Sequence, residues 1–112
     1  MENFYDCYEK EGPFNIWIMK PIGKSRGRGI SLVNDINDVR YTETVILQKY
    51  LKNPMLLDGY KFDLRIYVLV TSITPLEAYI YKEGFARMST SHFNLNPDDL
   101  KNNFIHLTNT SV

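Results

Sequence analysis

The chain has 112 residues, enough for one small domain with a modest core. Its hydrophobic content of 44% and charged content of 23% are typical of a globular protein and exclude a disordered one. The 13 basic residues balance 13 acidic ones, so the overall charge gives no indication of nucleic-acid or membrane binding. The single cysteine, Cys7, cannot form an internal disulfide, and no apolar segment is long enough to span a bilayer. These features predict a cytoplasmic protein.

The first predicted strand is the apolar run IWIMK at residues 16–20, from which Lys20 emerges at the end, while Trp17 is expected in the core. A loop with three glycines and three cations follows at residues 23–29. Glycine lets the backbone approach a ligand closely, so this loop suits a polyphosphate. Its spacing is neither a Walker A motif nor GxGxxG, and a flexible basic turn explains it equally well. Residues 30–33 then complete a hairpin.

Two further elements precede the centre of the chain. Residues 34–38 predict a short helical turn that Asn34 or Asp35 caps. Residues 44–50 predict a strand that ends in polar side chains, which is typical of a strand lining a crevice but commoner in a strand that simply leaves the core.

The segment KFDLRIYVLV, residues 61–70, predicts one long central strand. Side chains alternate along a strand, so one face is an apolar stripe made of Phe62, Leu64, Ile66, Val68 and Val70. The opposite face begins with Lys61, Asp63 and Arg65. These charges are consistent with the wall of a cleft that holds an anion, or with an edge strand that has one solvated face.

The following strands are predicted to form an antiparallel meander over residues 61–89, with turns at Thr74-Pro75 and Glu83-Gly84. Arg87 would lie one strand removed from Arg65 and could face the same cleft, although the pattern alone favours a solvated arginine there. Residues 96–99 predict a short helix, and neither histidine has the spacing of a metal ligand. The fold class is therefore α+β, with about six strands and little helix.

Six sequence blocks, in this order, resemble the tubulin tyrosine ligase-like family of ATP-grasp ligases. The blocks are WIMKP (17–21), SRGRGI (25–30), QKYL (48–51), KFDLRIYVLV (61–70), EGFARMST (83–90) and HLTN (106–109). The resemblance implies that residues 1–112 are the central part of an ATP-grasp catalytic domain with mostly antiparallel strands. The family's amino-terminal lobe would be absent, and its magnesium-binding acidic residues would lie beyond Val112, so no metal ligand is expected within this chain.

The resemblance also implies a role for individual residues. ATP binding would involve Lys20, Arg26, Gly27, Arg28, Gly29, Ile30, Gln48, Lys49, Tyr50, Leu51, Lys61, Phe62, Asp63, Thr108 and Asn109. Within this set, residues 26–30 would form a mobile loop over the phosphates, residues 48–51 would hold adenine, and Lys61 and Asp63 would contact phosphate and ribose. Lys61 and Arg65 would act on the transferring phosphoryl group. Arg87 and Ser111 would bind the incoming amino acid.

The implied activity is the ATP-dependent addition of free L-glutamate, through an acyl-phosphate intermediate, to glutamate side chains of tubulin C-terminal tails. The blocks look most like the glutamate-adding branch of the family. A glycine or tyrosine ligase of the same family, or a non-catalytic nucleotide- or microtubule-binding remnant, is the alternative. The implied cofactors are ATP and Mg²⁺, and the implied location is the cytoplasmic cytoskeleton, including the cilium or basal body. Partners would be tubulin tails or microtubules, with no nucleic acid and no membrane.

Overall fold

The computed structural model describes residues 3–24, 28–40 and 42–109, which form a mixed fold with few helices and antiparallel sheets. The helices are α1 (Phe4–Glu11) and α2 (Asn103–His106), with short 3-10 helices at Gly12–Phe14, Ile36–Asp38 and Pro97–Asp99. The strands are β1 (Trp17–Pro21), β2 (Ser31–Val33), β3 (Val45–Lys49), β4 (Leu56–Leu57), β5 (Tyr60–Arg65), β6 (Val68–Ile73), β7 (Leu76–Ile80) and β8 (Phe85–His92). The described residues thus contain eight strands rather than about six.

The first sheet confirms the hairpin predicted around the glycine loop. Its strand order is β2-β1-β3, and β1 pairs antiparallel with both neighbours. Asp35 caps the following 3-10 helix, as predicted, by accepting a 2.9 Å hydrogen bond from the Asn37 amide. Trp17 packs against the buried cluster of Met19, Val33 and Val39, which confirms its place in the core.

The single long strand predicted over residues 61–70 is wrong, because β5 ends at Arg65 and β6 begins at Val68. The predicted meander is wrong as well. Strand β5 pairs with β8, while β6 and β7 form a separate two-stranded ribbon between them in the chain. Gly84 allows this arrangement, since a Cβ there would lie 2.5 Å from the Arg65 carbonyl oxygen. The absence of a side chain lets β8 begin directly beside the end of β5.

The buried core packs against the first sheet and not against residues 61–70. A second buried cluster joins Ile16, Leu32, Tyr50 and Leu100, with Phe93 packed against it. The predicted apolar stripe, in contrast, is exposed at Leu64, Val68 and Val70. Within the described ranges, no helix has both the length and the apolar character that crossing a membrane requires.

Candidate functional site

A cavity of about 610 Å³ lies where β1, β3 and β5 approach one another. Six of its lining residues belong to the set predicted to bind ATP: Lys20, Gln48, Lys49, Tyr50, Leu51 and Lys61. Ile18 and Pro54 add apolar surface to the same cavity. The fold therefore gathers side chains that are up to 41 residues apart in sequence, as the numbers of Lys20 and Lys61 show.

Antiparallel pairing between β1 and β3 brings Lys20 and Gln48 together. In this register Ile18 faces Gln48 and Lys20 faces Ile46, so Lys20 and Gln48 are diagonal neighbours. The Lys20 ammonium donates a 2.8 Å hydrogen bond to the Gln48 side-chain oxygen. Because that acceptor is uncharged, the positive charge of Lys20 is not neutralised by this contact.

Lys61 reaches the same cavity from β5. Its ammonium donates to the His106 carbonyl oxygen at 2.8 Å and to the Tyr50 hydroxyl at 3.2 Å, and it lies 5.1 Å from the centroid of the Tyr50 ring. Burial lowers the pKa of Lys61, and the nearby Asp63 carboxylate acts in the opposite direction. Burial raises the pKa of Tyr50 to about 12, so its phenol stays protonated at neutral pH. Lys61 is thus held by uncharged groups.

His106 completes this cluster, although the sequence indicated no contact between it and Tyr50 or Lys61. The residue is 2% exposed, and its Nδ1 lies 3.2 Å from the Tyr50 hydroxyl. Burial lowers the pKa of His106, while the Asp99 backbone raises it and the charge of Lys61 lowers it. The sequence signal at this position was the HLTN block at residues 106–109, in which His106 is buried and the next three residues are half-buried.

A β-bulge sets the position of Lys61. The register between β5 and β8 shifts between Tyr60 and Phe62, so Lys61 pairs with Leu56 of β4 but lacks an ordinary ladder partner on β8. The Ser89 hydroxyl takes that place, since it accepts a 3.1 Å hydrogen bond from the Lys61 amide and donates to the Ser91 carbonyl at 3.0 Å. Ser89 is 4% exposed, and no pattern in the sequence indicated that its hydroxyl supports β5.

Asp63 lies on the same face of β5 as Lys61, as the alternation predicted, but it contacts different groups. It faces Arg87 directly across the sheet and accepts two hydrogen bonds from it, at 2.8 Å from Nε and 2.7 Å from Nη2. Thr108 donates a third bond, of 2.7 Å, to Oδ2. Hydrogen bonding from Arg87, followed by that from Thr108, holds the pKa of Asp63 below its ordinary value despite partial burial.

Two expectations drawn from the pattern at Arg87, its strand position and its solvation, are wrong. Arg87 lies on the strand next to β5 rather than one strand removed, and it is an ion-paired side chain with 22% exposure rather than a solvated one. The Asp63 hydrogen bond also raises the pKa of Arg87. The meander that placed it farther away assumed that consecutive strands pair, which is a tendency and not a rule.

A second cavity, of about 370 Å³, lies beside this ion pair. Arg87, Thr108, Asn109, Phe85 and Phe104 are among the residues that line it. Residues 106–108 connect the two cavities, because the His106 carbonyl contacts Lys61 and the Thr108 hydroxyl contacts Asp63. The structure thus places two polar sites side by side along one strand.

Other predicted residues lie elsewhere. Gly29 and Ile30 line a separate groove of about 510 Å³ that also includes Arg40. Arg28 is exposed, and Arg65 is exposed at the end of β5. Arg26, Gly27 and Ser111 lie outside the described residues.

Two residues of the predicted ATP-binding set, Lys49 and Phe62, have side chains with other contacts or on the other face of the strand. The Lys49 ammonium lies 3.4 Å from Glu11 Oε1 and 3.4 Å from the Cys7 sulfur. Phe62 alternates with Lys61 and Asp63 and is half-buried on the other face of β5. The resemblance implies that residues 48–51 hold adenine largely through backbone groups, and that contact remains a prediction.

The described residues do not form a magnesium site. Over residues 3–24, 28–40 and 42–109, no group of three or more histidine, cysteine or acidic side chains has an arrangement suited to a metal ion. Asp63 is the acidic residue next to Lys61 in the strand, and both of its oxygens already accept hydrogen bonds from Arg87 or Thr108. Magnesium ligands from outside these residues remain a prediction.

The sequence profile of the Tubulin-tyrosine ligase family matches residues 1–112, so this chain belongs to that family. Over 110 residues it is 46% identical to "Tubulin polyglutamylase TTLL5" of Homo sapiens, covering 97% of the chain and 8% of that protein. It is 49% identical over 96 residues to "Probable tubulin polyglutamylase TTLL2" of Homo sapiens, covering 86% of the chain and 16% of that protein. For "Tubulin polyglutamylase TTLL6" of Mus musculus the identity is 41% over 106 residues, covering 94% and 13%. The chain therefore spans a small part of the length of these relatives.

Proposed function

We propose that this chain forms the nucleotide and amino-acid binding part of an ATP-grasp ligase that adds glutamate to glutamate side chains of tubulin tails. The observation that carries the proposal is that Lys20 and Lys61 enter one cavity while donating to uncharged acceptors. The names of the relatives, which are 41% to 49% identical to this chain, support the choice of tubulin and of glutamate.

The larger cavity suits ATP by its size and by the distribution of its polar groups. Ligand cavities commonly measure about 300–1,000 Å³, and this one measures about 610 Å³. Lys20 and Lys61 offer N–H donors and positive charge to a polyphosphate. Ile18, Leu51 and Pro54 provide apolar surface for a purine ring, and the backbone of residues 48–51 provides hydrogen-bonding groups at its edge.

The smaller cavity suits the free amino acid. Arg87 lines it, and a guanidinium binds a carboxylate through two parallel hydrogen bonds. Its neighbour Asn109 adds an amide that can donate or accept. The connection through residues 106–108 would bring the amine of this amino acid close to the reacting phosphoryl group.

The proposed reaction has two steps, a phosphoryl transfer and an acyl transfer. A carboxylate oxygen of the acceptor glutamate attacks the γ-phosphorus of ATP, the bond from that phosphorus to the β-bridging oxygen breaks, and ADP leaves. The amine nitrogen of the incoming glutamate then attacks the acyl carbon, the carbon–oxygen bond to phosphate breaks, and the amine loses a proton. Lys61 would position the phosphates, and the exposed Arg65 would neutralise charge on the transferring group. Magnesium, when bound by carboxylates outside the described residues, would shield the phosphate charges.

The test uses the protein translated from the complete reading frame that contains these residues. It is incubated with ATP, magnesium, an acidic tubulin-tail peptide and equal amounts of glutamate, glycine and tyrosine, and the intact mass of the peptide is measured. We expect mass increments of glutamate that Lys61→Ala or Arg87→Ala abolishes and that exposed Lys82→Ala leaves unchanged.

Other outcomes would overturn the proposal in different ways. Increments of glycine or tyrosine would keep the reaction and refute the choice of glutamate. No increment from a folded protein that binds ATP would refute the ligase and favour a non-catalytic binding role. Because the proposed substrate is tubulin, we propose that the protein acts at the cytoskeleton in the cytoplasm.

A further inference from the structure

We propose that Asp63 is a positioning residue for Arg87, and that it orients the guanidinium toward the carboxylate of the incoming amino acid. This inference rests on the proposed function, because it assigns the smaller cavity to that amino acid. It differs from the role that the family resemblance implies for Asp63, which is a contact with the nucleotide. The two roles make opposite predictions for the kinetics.

The geometry across the sheet supports this role for Asp63. Asp63 and Arg87 are register partners on β5 and β8, and their side chains lie on the same face. Both carboxylate oxygens are used, Oδ1 by Nε at 2.8 Å and Oδ2 by Nη2 at 2.7 Å. Two parallel bonds fix the plane of a guanidinium as well as its position. The arrangement therefore determines the direction in which the remaining donors point.

The Arg87 guanidinium keeps enough N–H donors to bind a second carboxylate. A guanidinium has five N–H groups, and the pair with Asp63 uses one on Nε and one on Nη2. Both N–H groups of Nη1 and one of Nη2 are left, and they form the second edge of the fork. That edge can bind another carboxylate in the same bidentate way. Because the Asp63–Arg87 pair is neutral overall, binding of the amino-acid carboxylate would depend on the fixed geometry of the guanidinium more than on net charge.

The hydrogen-bond partners of Asp63 belong to the smaller cavity. Both of its partners, Arg87 and Thr108, line that cavity. With three hydrogen bonds of 2.7–2.8 Å, its carboxylate has little capacity left for a ribose hydroxyl. Lys61, two residues earlier, faces Tyr50 and the His106 carbonyl in the larger cavity instead. Neighbouring residues of one strand thus act on different ligands.

The experiment measures initial rates of the full-length protein carrying Asp63→Asn, with glutamate varied at saturating ATP and ATP varied at saturating glutamate. Asparagine keeps the shape and removes the charge and one acceptor. We expect KM for glutamate to rise roughly tenfold, since a hydrogen bond between charged groups is weakened, while KM for ATP stays within about twofold. A tenfold rise in KM for ATP with unchanged KM for glutamate would overturn the inference, and so would a lowered KM for glutamate.

A double-mutant cycle separates positioning from a general structural effect. If Asp63 acts through Arg87, the effect of Asp63→Asn on KM for glutamate should disappear in an Arg87→Lys background. Effects that simply add would contradict the proposal. If Asp63→Asn does not fold, Thr108→Val removes the third hydrogen bond to Asp63, and KM for glutamate should still rise while KM for ATP does not. Because Thr108 also lines the smaller cavity, this rise should likewise disappear in the Arg87→Lys background. An inactive wild-type protein would count against the proposed function instead, and binding of glutamate measured by calorimetry would then decide the role of Asp63.

Discussion

The ammonium of Lys61 donates a 2.8 Å hydrogen bond to the backbone carbonyl of His106, which lies 45 residues later in the chain. This contact joins β5, which carries Lys61 into the larger cavity, to the segment of residues 106–108. It explains why Lys61 points into the cavity and not into solvent. Since the same segment also contacts Asp63 through Thr108, both polar sites depend on one short stretch of backbone.

Lys61→Met should weaken ATP binding by about 10- to 100-fold, because it removes a charged hydrogen-bond donor and keeps most of the apolar stem. The measurement is the dissociation constant of a non-hydrolysable ATP analogue by calorimetry on the full-length protein. Lys82→Met, at an exposed position, is the matched control. Equal affinities for the two variants would refute a role of Lys61 in nucleotide binding.

Ser89→Ala should lower the free energy of unfolding by about 1–3 kcal/mol, since the Lys61 amide loses the hydroxyl that accepts its hydrogen bond inside the sheet. Denaturant titration measures this change. The control is Thr90→Ala at the exposed neighbouring position, which should change the free energy of unfolding by less than about 0.5 kcal/mol. If both variants are equally stable, the hydroxyl at the bulge does not support β5.

Acidification should destabilise the protein through His106. Its pKa in the fold is lowered from 6.5, so its stabilising contribution is complete above that pH. This contribution is lost as the pH falls from 6.5 toward the lower pKa of the folded state, because the unfolded chain takes up the proton first. The free energy of unfolding then falls by up to about 1.4 kcal/mol per pH unit. Unfolding free energies at several pH values should show this slope in wild type and in the exposed-site variant His92→Gln. His106→Gln should flatten it, and an unaltered slope would assign the effect to other groups.

Gly84→Ala should reduce both stability and activity. The added Cβ would lie 2.5 Å from the carbonyl oxygen of Arg65, so the backbone at the start of β8 has to move. Overpacking of this kind costs about 1–3 kcal/mol, and displacement of Arg65 should lower kcat. Thermal unfolding and initial rates measure the two effects, with Lys82→Ala in the same connection as control. Full activity of Gly84→Ala would show that the position of Arg65 is unimportant for the reaction.

Several local features could be predicted from the sequence. The hairpin of β1 and β2, the Asp35 cap and the shared face of Lys61 and Asp63 each depend on residues close together in the chain. The gathering of Lys20, Gln48 and Lys61 at one cavity was implied by family resemblance and not by any local pattern. The partners of Lys61 could not be predicted, because Tyr50 and His106 are brought to it by packing of distant segments.

The sequence by itself determined that Lys61 and Asp63 share a face of one strand, because alternation along a strand is a local property, but it did not determine where that strand ends. The tertiary structure alone decided that β8, and not β6, pairs with β5. That choice depends on the close approach of Gly84 to Arg65 and on the bulge that Ser89 supports, which are contacts between segments about 20 to 30 residues apart. It is this pairing that places Arg87 opposite Asp63 and makes the second site.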